Sequence, residues 1–367
     1  MRPENVAGGD LVGGDRPSRS IEIDRSHGGA APANTLDFSA SLNPVGMPGG
    51  ALEAYYRAAA QITSYPPPYS HRLESALAKW VSVPCANVIA ANGSAQLIYL
   101  IARVFRPLRP YILIPTFSEI ANALISVDCP PLPIRLRAER NFAADLAEIS
   151  AALESGADAI FLGRPNSPTG GVISREMLDE IIALCARSGA LCVIDEAFID
   201  LAEEQSLVSA AAGNPRMIVL RSLTKAFAIP GLRLGFAVMS EFLAANLRRA
   251  LEPWAVNSAA EAVAMACLDC ADDHLRRSRG LIANERGFLT GALARQRRFR
   301  LFPSAANFLM FQAFEERSAG EFGAHMLAHG VAVRDLASLP GCGPGFYRIA
   351  IRPRSENEKL LEALARW

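Results

Sequence analysis

Between residues 51 and 251, short unbroken apolar runs alternate with longer segments of helical periodicity. Val88–Ala91, residues 111–115, Ala159–Gly163, residues 190–194 and residues 218–220 are too short for helices and carry no charge. A strand that is apolar on both faces must be covered on both. Parallel sheets crossed by helices meet that condition. With intervening segments such as 174–187, the pattern predicts an α/β fold around a mainly parallel sheet. A chain of 367 residues with 50% apolar content can bury a large core, and its length suggests about two domains. An alanine-rich helical stretch from 258 to about 295 leads to strand-like runs at 307–312, 331–334 and 347–351, with helices near Ala319–Ala328 and 355–367. We therefore expect a large domain at 51–270 and a small α+β carboxyl-terminal domain at 271–367. Residues 27–50, rich in Pro, Gly and Asn, read as an arm packing on the small domain. Residues 1–26 lack an apolar centre and read as a disordered extension, neither signal peptide nor core element.

The polar residues that follow these runs carry the chemistry. Lys225 comes shortly after residues 218–220, in Ser222-Leu223-Thr224-Lys225-Ala226-Phe227-Ala228-Ile229-Pro230-Gly231-Leu232-Arg233-Leu234-Gly235, on a predicted loop closed by Pro-Gly. Hydroxyls at Ser222 and Thr224 and the Arg233 guanidinium surround one amine with anion-binding groups. A ligand holding both an aldehyde and a phosphate needs that set. Taken alone, Ser-x-Thr-Lys reads as a solvated loop. Asp195 closes the run 190–194, and Arg164-Pro165-Asn166-Ser167-Pro168-Thr169-Gly170 makes a rigid turn after Ala159–Gly163. Asn92-Gly93-Ser94-Ala95-Gln96 opens an apolar helix, where backbone N–H groups can meet a phosphate or serve as an ordinary cap. Phe117, after the run 111–115, suits a flat ring or a core.

In series, these segments resemble the cofactor site of fold-type I pyridoxal 5′-phosphate (PLP) enzymes. The resemblance implies a seven-stranded-type, mainly parallel sheet with a small α+β domain. It also implies PLP condensed with Lys225, the catalytic residue. Asp195 would face the pyridinium nitrogen and Asn166 would donate to the phenolic oxygen, with Phe117 stacked on the ring and Phe198 beside it. Gly93, Ser94, Ala95, Ser222, Thr224 and Arg233 would hold the phosphate.

The ends of the chain narrow the resemblance. His27-Gly28-Gly29 with Asp37-Phe38-Ser39-Ala40-Ser41-Leu42-Asn43-Pro44, Pro253-Trp254-Ala255-Val256-Asn257, Ala306-Asn307-Phe308 and Tyr347-Arg348-Ile349-Ala350-Ile351-Arg352 are similar to L-threonine-O-3-phosphate decarboxylases of cobalamin biosynthesis. That group is close to the histidinol-phosphate aminotransferases, the alternative reading. The match runs from about 27 to 367. It implies a phosphorylated amino acid as substrate, bound by His27, Gly28, Ser41, Asn43, Asn166, Arg334 and Arg348. It also implies a homodimer with shared sites, because the tyrosine of Tyr65-Pro66-Pro67-Pro68 in these families reaches the neighbour's cofactor phosphate. Three positions depart from the pattern: Ser41 stands for asparagine, Arg164 for asparagine or threonine, and Phe198 for the aminotransferases' tyrosine. The last departure favours the decarboxylase branch.

Charge is balanced at 37 basic and 37 acidic side chains, which leaves no electrostatic case for nucleic acid or acidic membranes. No apolar run suggests a membrane span. The seven cysteines are odd in number and scattered, as expected of reduced thiols in cytoplasm. Cys267-x-x-Cys270 has no second pair, so no metal is expected. The tract 295–300 reads as a solvated turn.

Overall fold

The structure is a computed structural model that describes residue 21, residues 23–314 and residues 319–367. In chain order the strands are β1 (Leu36–Asp37), β2 (Val88–Ala91), β3 (Pro110–Ile114), β4 (Leu132–Arg135), β5 (Ala159–Gly163), β6 (Leu191–Asp195), β7 (Met217–Ser222), β8 (Gly235–Met239), β9 (Phe299–Leu301), β10 (Phe308–Ala313), β11 (Val331–Ala332), β12 (Arg334–Asp335) and β13 (Phe346–Ala350). Seven form one sheet in the order β2-β8-β7-β6-β5-β3-β4. Only β8 runs antiparallel to its neighbours, β2 and β7.

Consecutive side chains of the central strands serve two cores. Ile160 and Leu162 of β5, with Cys192 and Ile194 of β6, belong to one apolar cluster. Ala159, Phe161, Leu191 and Val193 belong to the other. This two-sided burial is why the runs are apolar without alternation. Helices cover the sheet, among them Gly93–Phe105 and Arg175–Ser188. The second begins at Ser174, whose side chain accepts from the Met177 amide, and ends at Gly189 with φ 77°. The chain leaves β3 for the edge strand β4 and returns to β5, so the strand order reverses between β3 and β5. Beyond the carboxyl ends of such strands a crevice opens.

A second sheet, β12-β13-β10-β9, is antiparallel throughout. The arm joins this side of the molecule: β1 pairs in parallel with β11, and the Ala350 amide donates to the Phe38 carbonyl at 2.8 Å.

Several local expectations are corrected. Lys225 lies on a helical turn, Leu223–Ala226, rather than an open loop. The helical stretch after 258 is two helices, Ser258–Leu268 and Ala271–Ala294, parted where Cys270 leaves helical geometry at φ −124°. The run 331–334 divides between two sheets, since β11 pairs with β1 and β12 with β13. The tract 295–300 is not all turn, because Phe299 is buried in β9. Most of the amino-terminal extension lies outside the described residues, but Ile21 is packed in the core beside the central sheet. Among the described residues, no helix is long and apolar enough to cross a membrane.

Candidate active site

A cavity of about 470 Å³ opens beyond the carboxyl ends of the central strands. Lys225 and Asp195 both line it. Burial first, then Arg348 and Arg233, push the Lys225 amine down to about 8. It therefore holds far more free base at neutral pH than an exposed lysine does. Its Nζ stands 5.8 Å from the centre of the Phe198 ring. Burial likewise pushes the Asp195 carboxyl up to about 6, with the Ala197 N–H at 3.0 Å and Lys225 pulling the other way. Neither group has an ion-pair partner among the described residues. Each is placed to receive a charge from a ligand.

An oxyanion cradle lies at the amino end of the helix Gly93–Phe105. Gly93 sits at φ +79°, and a Cβ there would stand 2.8 Å from Arg233 Nη2, so the guanidinium rests against the turn. A Cβ on Gly235 would meet the Ser94 amide at 2.4 Å, which fixes how closely β8 and this helix end approach. The Ser222 and Thr224 hydroxyls, 2.6 Å apart, line the same cavity as Ser94, Ala95 and Arg233. Free amides, hydroxyls and a guanidinium at a helix amino end form a phosphate site.

Two further guanidiniums come from the small sheet. The β12–β13 register sets Arg334 directly opposite Arg348. Like charges at such positions oppose folding unless a ligand uses them. Arg348 donates to Ser167 Oγ and to the Ser39 carbonyl, both at 2.9 Å, and lies over the Phe308 ring at 5.1 Å. Its Nε is buried without a partner. Burial first, then Arg334, push the Arg348 guanidinium down to about 10. Arg334 donates to the Ser26 carbonyl and, at 2.9 Å, to the Ser26 hydroxyl. Neither arginine has a carboxylate partner among the described residues. Ser41, 1% exposed, lines the cavity with its Oγ buried and unbonded. His27 and Gly28 also line it, and Phe117 stands 6.1 Å from the His27 ring.

The sequence profile described as "Aminotransferase class I and II" matches residues 34–365. The chain belongs to this family. It is 36% identical over 343 residues to the threonine-phosphate decarboxylase of Salmonella typhimurium, covering 92% of each chain. It is 33% identical over 363 residues to histidinol-phosphate aminotransferase 2 of Pseudomonas aeruginosa, covering 96% of this chain and 92% of that one. The crystal structure of the histidinol-phosphate aminotransferase from Clostridium acetobutylicum superposes with a TM-score of 0.83 at 25% identity, over 90% of this chain and 98% of that one.

As a family member the chain is a fold-type I enzyme that uses PLP, and the cavity fits that cofactor. Lys225 suits the aldehyde, Asp195 the ring nitrogen, Phe117 a ring face, and the Ser94–Arg233 cradle the phosphate. Four of the residues read from the sequence stand outside the cavity lining: Gly93, Asn43, Asn166 and Tyr65. Gly93 acts through its turn. Asn43 is corrected from a substrate contact to a support beneath the Lys225 turn. Its amide donates to the Ala226 carbonyl and the Ser278 hydroxyl, both at 2.7 Å, and its Oδ1 accepts from the Val45 amide. Asn166, expected to donate to the cofactor, has its amide on the Pro115 carbonyl at 2.9 Å and the Thr169 hydroxyl at 3.0 Å, and Oδ1 is left unbonded. Tyr65 is 85% exposed and leans on Trp254, away from this chain's own cavity. Sequence reasoning missed Ser26, Glu119 and Ser167, all of which line the cavity. Ser167 lies within the 164–170 turn but was given no role, while Ser26 and Glu119 carry no motif that would mark them.

Proposed function

We propose that the enzyme decarboxylates L-threonine O-3-phosphate to (R)-1-aminopropan-2-yl phosphate and CO2, a step of cobalamin biosynthesis. The observation that carries this reading is the Arg334–Arg348 pair: two opposed, half-buried guanidiniums, neither with an ion-pair carboxylate among the described residues. A substrate with both a carboxylate and a phosphate supplies the missing charge, and guanidinium binds such oxyanions bidentately. Arg348, whose charge acts directly on Lys225, suits the carboxylate beside the reacting carbon. Arg334, which meets the arm at Ser26, suits the phosphate. Bound PLP supplies a conjugated pyridinium that accepts the electron pair released at Cα. Asp195 holds the positive charge that makes such a ring an acceptor. The bond from Cα to the carboxyl carbon breaks, CO2 leaves, and the Lys225 ammonium returns a proton to Cα. The likeness to the Salmonella typhimurium decarboxylase supports the same reading.

Exposed Tyr65, tilted against Trp254, belongs in this reading to the cofactor phosphate site of a second copy, in a homodimer with shared sites. Histidinol-phosphate aminotransferases are also among the similar proteins, so the test has two arms. Purified holoenzyme given L-threonine phosphate should release CO2 without 2-oxoglutarate. Histidinol phosphate with 2-oxoglutarate should yield little glutamate. The reverse pattern would make the chain an aminotransferase.

A further inference from the structure

Glu119 sits in the first turn of the helix Ser118–Ile125, two residues after Phe117. Its side chain is 15% exposed and lines the cavity, yet the cofactor chemistry above leaves it without a task. Its oxygens are divided between two sides. Oε1 lies 2.9 Å from His27 Nε2 and accepts from Asn122 Nδ2 at 3.0 Å, while Oε2 accepts from the Tyr99 hydroxyl at 2.7 Å. Asn122 also donates to the Asp24 carbonyl at 2.8 Å, so the same junction ties down the arm that carries His27. Burial first, then the bond to Glu119, push the Tyr99 phenol up to about 12, which keeps it a donor at ordinary pH.

An ionised carboxylate only accepts, so the His27 nitrogen facing Glu119 carries the proton. That fixes the tautomer: Nε2–H is committed to Glu119, and Nδ1 has no partner among the described residues. A proton taken up by the ring then goes to Nδ1 and makes it a donor. His27 follows Ser26, whose carbonyl and hydroxyl meet Arg334, so the ring sits beside that guanidinium's end of the cavity. A carboxylate behind an imidazole orients the ring and fixes its tautomer, as it does behind metal-bound or catalytic histidines.

We propose that Glu119 is a positioning residue that holds His27 with Nδ1 turned to use on the phosphate of the substrate, and so selects phosphorylated over unphosphorylated amino acids. The proposal rests on the substrate reading given above. Its experiment separates the two.

Four holoenzymes are compared: wild type, Glu119→Gln, His27→Ala and the double variant. Each is assayed for kcat and KM with L-threonine phosphate and titrated calorimetrically with inorganic phosphate. Glu119→Gln should raise KM and weaken phosphate binding by about ten-fold while kcat stays within about two-fold, the pattern of a lost charge-assisted contact made equally in ground and transition states. In the His27→Ala background the same substitution should cost less than about two-fold, because its effect passes through the imidazole. Competition by unphosphorylated L-threonine should be unchanged. Undiminished phosphate binding in Glu119→Gln, or an equal loss in both backgrounds, would overturn the proposal. If Glu119→Gln does not fold, Tyr99→Phe removes one donor to the carboxylate and should weaken phosphate binding by about three-fold. No change there would also overturn it. Wild-type enzyme that releases no CO2 would defeat the substrate reading alone, and the phosphate titrations would still decide the role of Glu119.

Discussion

At the residue scale, the site works by leaving charges incomplete. Asp195, Lys225, Arg233, Arg334 and Arg348 share one cavity, and none is neutralised by an opposite side chain in direct contact among the described residues. Like charges and unpaired charges gathered around one cavity cost stability, so their retention there marks ligand chemistry. Asp195→Asn tests this most directly. The variant should keep its cofactor but lose most of its turnover, because an amide does not hold a ring nitrogen protonated. The cofactor-free protein adds a second readout. The Asp195 carboxyl rises from an ordinary value near 3.8 to about 6 in the folded state, so folding takes up a proton between those values. Relative to the Asn variant, wild-type stability should fall as pH rises through that window. Thermal midpoints of the two cofactor-free proteins from pH 4 to 7 would show it, and parallel curves would count against the assignment.

At the element scale, the phosphate cradle depends on how closely β8 and the amino end of the helix Gly93–Phe105 approach. Gly235 has no room for a Cβ: the obstacles are the Ser94 amide at 2.4 Å and the Arg221 carbonyl at 2.9 Å, both backbone. Gly235→Ala should push the helix end off the sheet and abolish tight PLP binding. At Gly93 the obstacle is the tip of the Arg233 side chain, which can move. Gly93→Ala should therefore leave the fold intact, cost about 1 kcal/mol for its positive φ, and weaken PLP binding less than Gly235→Ala does. Equilibrium dialysis of PLP against both variants, with circular dichroism to follow the fold, checks the order. Strands β2, β3, β5, β6 and β7 were legible beforehand because each is built on a short unbroken apolar run; β8 was not read from the sequence. The two-residue strands β11 and β12 were not legible either. A segment that short takes its partner from register, and nothing in residues 331–334 says that the pairing changes at Val333.

At the scale of the whole molecule, the exposed aromatics Tyr65 and Trp254 are where the proposed homodimer can be tested. If Tyr65 completes a neighbour's site, mixing Tyr65→Phe with inactive Lys225→Ala should recover activity. Each hybrid dimer then holds one site with both the lysine and the tyrosine. No recovery after subunit exchange, verified by native mass measurement, would assign Tyr65 to its own chain. The sequence alone determined the α/β class, and it marked Lys225 and Asp195 as candidates, because each of these depends on residue type next to a strongly patterned element; the arginine pair was an expectation from the family resemblance. Tertiary structure decided what those residues face. It set Arg334 opposite Arg348, turned Asn43 from a ligand contact into a support, took the Asn166 amide for Pro115 and Thr169, and brought Glu119 to His27 across 92 residues of chain. Local sequence encodes which backbone geometry a segment prefers. Which distant donor meets which acceptor is fixed only when packing has chosen the register and the depth of every element at once.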